Sequence, residues 1–323
     1  MVINYCFTVY NEPELLRHTI LRLQHPNARF FIHIDRRVDE SVFYKALDGI
    51  ENIEFIKDRV ISQWADISTV QAVMHLFRAA IKDDKEGYCV LLSGSDYPLK
   101  TANQIVEILT RLYPQEFIHA SNEKDWNYRL KSWMNSHIYS HWLTVDGKIK
   151  LVVKPYRCVK LYGLGTLKGK RIVPFIYKLF RPRMLGRVVK CFFSKREMPA
   201  GLTAYASETW FQITTDAAKY VLKYIDSNPD VLNFYGTYGF PEESMMQSII
   251  LSNPFFKNRW HGDFLSLIKR DSSDPVDSLH ILPESFDRLR SAIHDNEKIL
   301  TRKVSYKDKH VIDYIDNLVD GYK

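Results

Sequence analysis

The first third of the chain alternates short apolar runs with segments of helical periodicity. Apolar runs that predict buried strands occupy residues 3–9, 29–34, 53–56 and 88–92. Apolar positions with helical spacing follow Pro13 and recur over residues 66–80 and 105–112. Strands that alternate with helices favour parallel pairing. The sequence therefore predicts an α/β fold with a central, mostly parallel sheet flanked by helices.

Polar loops follow three of the predicted strands, at residues 10–11, 35–36 and 93–98. Ligands of such sheets usually bind beyond the carboxyl ends of the strands, so we expect the functional site there. Further along the chain, the pattern predicts a strand at 209–214 and helices at 216–225, at 242–251 and from 305 onward.

The positive charge is concentrated in one segment. The chain has a formal net charge of +7, but residues 148–196 contain 15 Lys and Arg and no Asp or Glu. We interpret this segment as an excursion from the α/β pattern, part of it amphipathic helix. Two hypotheses rank equally: a membrane-surface element and a solvated insertion that packs on the body. Nucleic-acid binding ranks third, and we expect no nucleic-acid partner.

Several classes of protein are excluded or disfavoured. No apolar run approaches the length of about 20 residues that spans a bilayer, and the N-terminus does not resemble a secretory signal. Four Cys in 323 residues do not form a disulfide framework, which predicts a cytoplasmic protein. The chain lacks G-x-G-x-x-G, a P-loop, D-x-D, zinc-ligand spacing and G-x-S-x-G. These absences disfavour a dinucleotide site, an ATPase, a bound metal and a nucleophile elbow.

Two segments near predicted strands allow more than one interpretation. Residues 91–101 read LLSGSDYPLKT, in which Asp96 either closes a tight turn or faces the ligand edge of the sheet. Residues 63–70 read QWADISTV, in which Trp64 is either buried or a lid over a planar base.

Two later segments also allow more than one interpretation. In SETWFQ, residues 207–212, Trp210 packs in the core or lines a site, and Glu208 is a cap or a ligand-binding group. In FPEESM, residues 240–245, Glu242 and Glu243 either complement a helix dipole or include a general base.

Taken in order, these segments resemble the core 2/I-branching β-1,6-N-acetylglucosaminyltransferase family, which includes the peptide O-xylosyltransferases. LLSGSDYPLKT is close to the family signature S-G-x-D-Y-P-L. The other segments that resemble family motifs, in the same order along nearly the whole chain, are FIHIDRR, QWADISTV, SETWFQIT, FPEESMMQSII and ILTRKVS. The collinear order is a stronger argument than any single motif.

The resemblance implies a GT-A-like fold, a UDP-sugar donor, a glycan acceptor and inversion at the anomeric carbon. It also implies no cofactor and no metal, because fixed cations would stabilise the departing diphosphate. N-acetylglucosamine is the expected sugar. The alternatives are xylose, another UDP-sugar of the same family, or a non-catalytic protein on this fold that binds carbohydrate or nucleic acid.

The same resemblance implies roles for individual residues. Glu243 aligns with the catalytic base and Lys303 with the diphosphate-binding Lys. The family's second phosphate-binding Arg falls near His280, and the alternative cations are Arg288, Arg290 and Arg302. The remaining candidates are, for the donor, Val9, Tyr10, Asp35, Trp64 and Asp96, and for the acceptor, Trp126, Arg129, Lys131, Glu208 and Trp210.

The resemblance also implies an organisation. We expect a single domain over 1–323, with a nucleotide-binding half at 1–120, an acceptor-side part with the basic excursion at 121–200, and a catalytic, diphosphate-binding half at 201–323. The start near the first strand and the few Cys resemble a bacterial cytoplasmic member of the family. Such a protein would act on a glycan or lipid-linked glycan, with the 148–196 segment as its contact to the inner face of the membrane.

Overall fold

Five strands form the central sheet. A computed structural model of the protein describes residues 1–122, 141–145, 148–153, 197–268, 286–295 and 297–321. The strands are β1 (Val2–Val9), β2 (Ala28–Ile34), β3 (Ile53–Phe55), β4 (Gly87–Ser93) and β10 (Gln212–Thr214), paired in the order β10-β4-β1-β2-β3. Only β10 is antiparallel to its neighbour. The predicted α/β architecture with a mostly parallel sheet is therefore confirmed, and it is consistent with a GT-A-like fold.

Helices cover both faces of this sheet. The helices that connect the parallel strands and follow β4 are α1 (Pro13–Leu23), α2 (Ser41–Ala46), α3 (Ile67–Ala80) and α4 (Ala102–Leu112). Successive residues of a strand point to opposite faces. Thus Cys6 and Phe31 pack with α3 on one face, whereas Phe7 and Ile32 pack with α1 and α4 on the other.

The rest of the described chain completes the two layers. Its helices are α5 (Thr215–Ser227), α6 (Pro229–Tyr235), a 3-10 helix (Pro241–Glu243), α7 (Met245–Ser252), α8 (Pro254–Lys257), α9 (Phe286–His294) and α10 (Lys309–Asp320). None of the helices in the described ranges is long and apolar enough to cross a membrane.

Besides the central sheet there are three smaller sheets among the described residues, and two of them join distant parts of the chain. β11 (Ser266–Ile268), β12 (Leu300–Arg302) and β5 (Asp96–Pro98) form one of them, with β12 between its two neighbours. The other two are the antiparallel pairs of β6 (Ala120–Ser121) with β9 (Ala206–Ser207) and of β7 (His141–Val145) with β8 (Lys148–Val153). The β12–β5 pairing fixes the end of the chain against the loop that follows β4.

Three predicted elements differ from the structure. The strand expected at 209–214 is only β10, and the helix expected at 242–251 is divided because Ser244 is non-helical, with φ −148°. The helix expected from 305 begins at Lys309. Ser305 lies in a turn before it, where its hydroxyl donates to the Glu12 carboxylate and accepts the Lys307 N–H. The first residues of the 148–196 segment form β8, and residues 154–196, to which the expected amphipathic helix is thereby confined, lie outside the described residues.

Candidate functional site

The carboxyl ends of β1, β2 and β4 lie side by side. Thr8 pairs with Ser93, and Val9 pairs with Ile34, so the three loops that follow these strands share one edge of the sheet. Tyr10, directly after β1, is 65% exposed. The expectation that these polar loops converge is confirmed.

The histidine and aspartate at the end of β2 hold the neighbouring loop. His33 Nε2 accepts the Val60 N–H at 3.0 Å, and Asp35 Oδ2 accepts the Ser62 N–H at 2.9 Å. Burial lowers the pKa of His33 to about 4, so the imidazole is neutral at pH 7 and can accept this bond. His33 and Asp35, at the end of β2, thus fix the loop of residues 56–66 that carries Trp64 between β3 and α3, hereafter the Trp64 loop.

The Asp35 carboxylate is fully used by the protein itself. Besides Ser62, it accepts the Arg37 backbone N–H at 2.8 Å and both Nε and Nη2 of the Arg37 guanidinium, at 2.8 and 2.7 Å. Four bonds fill the acceptor capacity of a carboxylate. A ribose or uracil group could reach Asp35 only by displacing one of these donors.

The Val9 side chain lies in the core rather than at the edge of the sheet. Its side chain is 3% exposed and packs in the core, because odd-numbered residues of β1 face the α1 and α4 layer. Only its carbonyl is engaged at the edge, where it accepts the Asp35 N–H at 2.8 Å. A contact of Val9 with a base would therefore involve its backbone, and the placement of Val9 beside the base stays a prediction.

Trp64 stands at the surface of the edge. It is 64% exposed, so the buried interpretation is wrong. Its ring meets Phe240 edge to face, with centroids 4.9 Å apart. An exposed indole held by one aromatic contact leaves a face on which a planar group can stack.

Asp96 closes the turn after β4 and also faces the basic strand β12. Its Oδ2 accepts both the N–H and the hydroxyl of Ser93, each at 2.6 Å. Its Oδ1 lies 3.7 Å from Nε of Arg302, the residue opposite it in β12. The turn interpretation of Asp96 is thus confirmed, and its role toward a ligand stays a prediction.

Arg302 is buried between this turn and Trp210. Its guanidinium carbon lies 4.0 Å from the centroid of the Trp210 ring, and Nη2 donates to the Ser93 hydroxyl at 3.4 Å. Burial lowers the pKa of Arg302, whereas Asp96 and Glu208 oppose the shift. Nη1 is buried and has no hydrogen-bond partner among the described residues. A buried cation with an open donor is suited to an anionic ligand.

Lys303 follows Arg302 on a segment that is held from two sides. The Val304 N–H donates to Ser95 O at 2.9 Å. The Glu12 carboxylate accepts the Ser305 hydroxyl at 2.7 Å and the Tyr306 N–H at 2.9 Å. The half-buried Lys303 therefore lies between the loops that follow β1 and β4.

Glu243 and Glu208 belong to one hydrogen-bonded unit. The Ser207 hydroxyl donates to the carbonyls of both residues, at 3.0 Å each. Gln247 Nε2 donates to the carbonyls of Glu208, at 3.2 Å, and of Glu242, at 3.0 Å. Because Trp210 is two residues after Glu208, this unit is continuous with the Arg302 site.

Glu242 connects two parts of the chain. It is 8% exposed, and its Oε1 accepts the Ala65 N–H at 2.9 Å, which joins the 3-10 helix to the Trp64 loop. Burial raises its pKa to about 7, with a further contribution from Asp66. Glu242 does lie in the first turn of the 3-10 helix, but its burial and its bond to the Ala65 N–H dominate its environment.

Sequence reasoning did not single out Glu12, Arg37, Ser207 or Gln247. Only Arg37 carried a usable signal, as a cation two residues after a strand-end aspartate. The other three act mainly by bonds to distant backbone groups or hydroxyls, which leave no local pattern.

Other candidates are not brought to this edge. Arg288 and Arg290 are exposed on α9. The candidates that lie outside the described residues are Trp126, Arg129, Lys131 and His280. Within the described part of the chain, no group of three or more His, Cys, Asp or Glu could hold a metal ion.

Comparisons with known proteins show two similarities. Residues 3–153 match the family model described as Core-2/I-Branching enzyme. The chain is 22% identical over 320 residues to beta-glucuronosyltransferase GlcAT14B of Arabidopsis thaliana, an alignment that covers 95% of this chain and 63% of the plant protein. The chain thus spans less than two thirds of that relative's length. Residues 3–153, a little under half of the chain, are therefore similar to the Core-2/I-branching enzyme family, and the whole chain is similar to a plant glycosyltransferase.

Proposed function

We propose that the protein is a glycosyltransferase that moves a sugar from a UDP-sugar to a hydroxyl of a glycan acceptor. The observation that carries the proposal is the meeting of a carboxylate-bearing 3-10 helix and a buried cation at the carboxyl edge of the sheet. The Ser207 hydroxyl joins the backbone carbonyls of Glu243 and Glu208. Trp210, two residues after Glu208, then contacts the Arg302 guanidinium. The family match and the glycosyltransferase relative support the same activity.

The reaction that this site supports is a single displacement with inversion. Glu243 removes the proton of the acceptor hydroxyl as its oxygen bonds to the anomeric carbon. The bond from that carbon to the β-phosphate oxygen breaks on the opposite side, and its electron pair leaves with UDP. No covalent intermediate with the protein is needed.

Fixed cations would stabilise the departing diphosphate in place of a metal. Lys303 and Arg302 are adjacent in sequence, and Arg302 is buried beside Asp96 with an open Nη1. This placement favours Arg302 over the exposed Arg288 and Arg290 as the second cation. Asp35 then acts mainly by ordering Arg37 and the Trp64 loop.

The proposed donor sugar and acceptor are inferred from sequence rather than from the geometry of the site. N-acetylglucosamine follows from the motif resemblance, and the name of the plant relative adds glucuronate to the donors to be tested. The basic composition of 148–196 supports contact with an anionic membrane surface that presents a lipid-linked glycan.

The test compares wild-type protein with Glu243→Gln. Thermal-shift screening with UDP-sugars and GDP-sugars first identifies the donor, because ligand binding stabilises the native state. We expect Glu243→Gln to bind that donor like wild type but to transfer it about 10²–10⁴-fold more slowly. Assays contain EDTA, so wild-type turnover also tests metal independence. Full transfer by Glu243→Gln would remove Glu243 as the base.

A further inference from the structure

We propose that Glu242 is a positioning residue that joins the Trp64 loop to the 3-10 helix that carries Glu243. This inference rests on the proposed function, because it assigns the loop to the donor and the 3-10 helix to the base. The two parts are far apart in the sequence, and a displacement of one relative to the other would separate the nucleotide from the attacking oxygen.

The Trp64 loop is held at three backbone N–H groups. His33 and Asp35, both at the end of β2, bind the N–H groups of Val60 and Ser62. Glu242 binds the third, that of Ala65, at 2.9 Å. Of these three bonds, only the one from Glu242 connects the loop to the part of the chain that contains Glu243.

The backbone on both sides of this bond has unusual geometry. Ala65 has φ 63° and Phe240 has φ 55°, and neither residue is a glycine. Such left-handed residues persist only where the surrounding contacts determine them. In its left-handed conformation, Ala65 donates its N–H to Glu242. In the same conformation, Phe240 places its ring against Trp64.

The chemistry of the bond requires an acceptor oxygen rather than a charge. Glu242 is buried, and its Oε2 has no hydrogen-bond partner among the described residues. The Thr69 hydroxyl lies beside the carboxylate but donates to Asp66 O at 2.7 Å. A neutral side chain with a carbonyl oxygen could therefore replace Glu242, whereas a base such as Glu243 must ionise.

The experiment uses Glu242→Gln and Glu242→Met as a matched pair, since both are close to Glu in length and only Gln retains the acceptor. In Glu242→Met we expect donor KM to rise about tenfold, as for the loss of one buried hydrogen bond, with a smaller change in kcat. In Glu242→Gln we expect donor KM within about threefold of wild type. In Glu243→Gln, by contrast, we expect kcat to fall and donor binding to stay unchanged.

A second measurement requires no turnover. Hydrogen exchange of a peptide that contains Ala65 reports the same bond, because an amide that loses its partner exchanges faster. We expect faster exchange in Glu242→Met and wild-type exchange in Glu242→Gln, with melting temperatures that confirm folding of both variants. This result stands even if the wild-type protein transfers no sugar, so the two proposals fail separately.

Two outcomes would overturn the positioning role. In the first, Glu242→Met matches wild type in both donor KM and amide exchange. In the second, Glu242→Gln loses kcat as completely as Glu243→Gln, which would mean that the charge of Glu242 takes part in the chemistry.

Discussion

The planar guanidinium of Arg302 makes three interactions at once, which the compact ammonium of a lysine does not match. It stacks on Trp210, donates to the Ser93 hydroxyl and faces Asp96. If its open Nη1 binds the diphosphate, Arg302→Met should weaken UDP binding about 10–100-fold, as for the loss of a hydrogen bond to a charged group. The UDP affinity of Arg302→Lys should lie between those of wild type and Arg302→Met, because lysine retains the charge without the planar fork. Titration calorimetry with UDP measures the difference.

The control for this prediction is Arg288→Met, which removes an exposed cation from α9. UDP binding should be unchanged in this variant. If Arg288→Met weakened binding and Arg302→Met did not, the second phosphate-binding cation would have to be sought on α9.

At the residue scale, the sequence predicted positions better than roles. Asp35 and Asp96 follow strand ends, and parallel pairing brings such ends together whatever the side chains do. What each carboxylate binds depends on residues that arrive from elsewhere: Arg37 saturates Asp35, and Arg302 faces Asp96. The Val9 side chain lies in the core because the periodicity that makes a strand directs alternate side chains there.

At the scale of elements, Glu12 connects the turn between β1 and α1 with the segment between β12 and α10. It has φ 54°, and its carboxylate accepts bonds from Ser305 and Tyr306. Glu12→Ala removes both bonds and should lower the free energy of unfolding by about 1–3 kcal/mol. Glu12→Gly removes the same bonds but suits a positive φ, so it should be more stable than Glu12→Ala by about 1 kcal/mol.

Urea unfolding of the three proteins measures these differences. The comparison of Ala with Gly isolates the backbone contribution, since neither side chain can bind Ser305. Equal stability of the two variants would mean that the backbone relaxes out of the left-handed region once the carboxylate is gone.

Long elements were predictable, whereas two of the shortest strands, β5 and β12, were not. α3 and β1 each contain enough residues to display a period, and their predicted bounds are close to those observed. β5 and β12 have three residues each, too few to display an alternation. They are strands because they pair with each other across about 200 residues of chain, which is tertiary information. The Arg302–Asp96 pair depends on that pairing and was missed with it.

At the scale of the whole molecule, buried carboxyl groups make stability depend on pH. Burial raises the pKa of Glu116 and of Glu242 to about 7. Glu116 accepts bonds from both the N–H and the hydroxyl of Thr214, so replacing it would disturb the structure. Glu242 has an unused Oε2, which makes it the better residue with which to test this dependence.

For Glu242 the folded pKa lies above the ordinary value of 4.5. Between these two values the folded state keeps the proton and the unfolded state releases it, so the free energy of unfolding falls as pH rises through this interval. Glu242→Gln has no such proton. Its stability relative to wild type should therefore increase by up to about 3 kcal/mol from pH 4 to pH 8, most of it below pH 7. Chemical unfolding of both proteins across this range measures the difference, and a constant difference would mean that the Glu242 carboxyl titrates with an ordinary pKa in the folded protein.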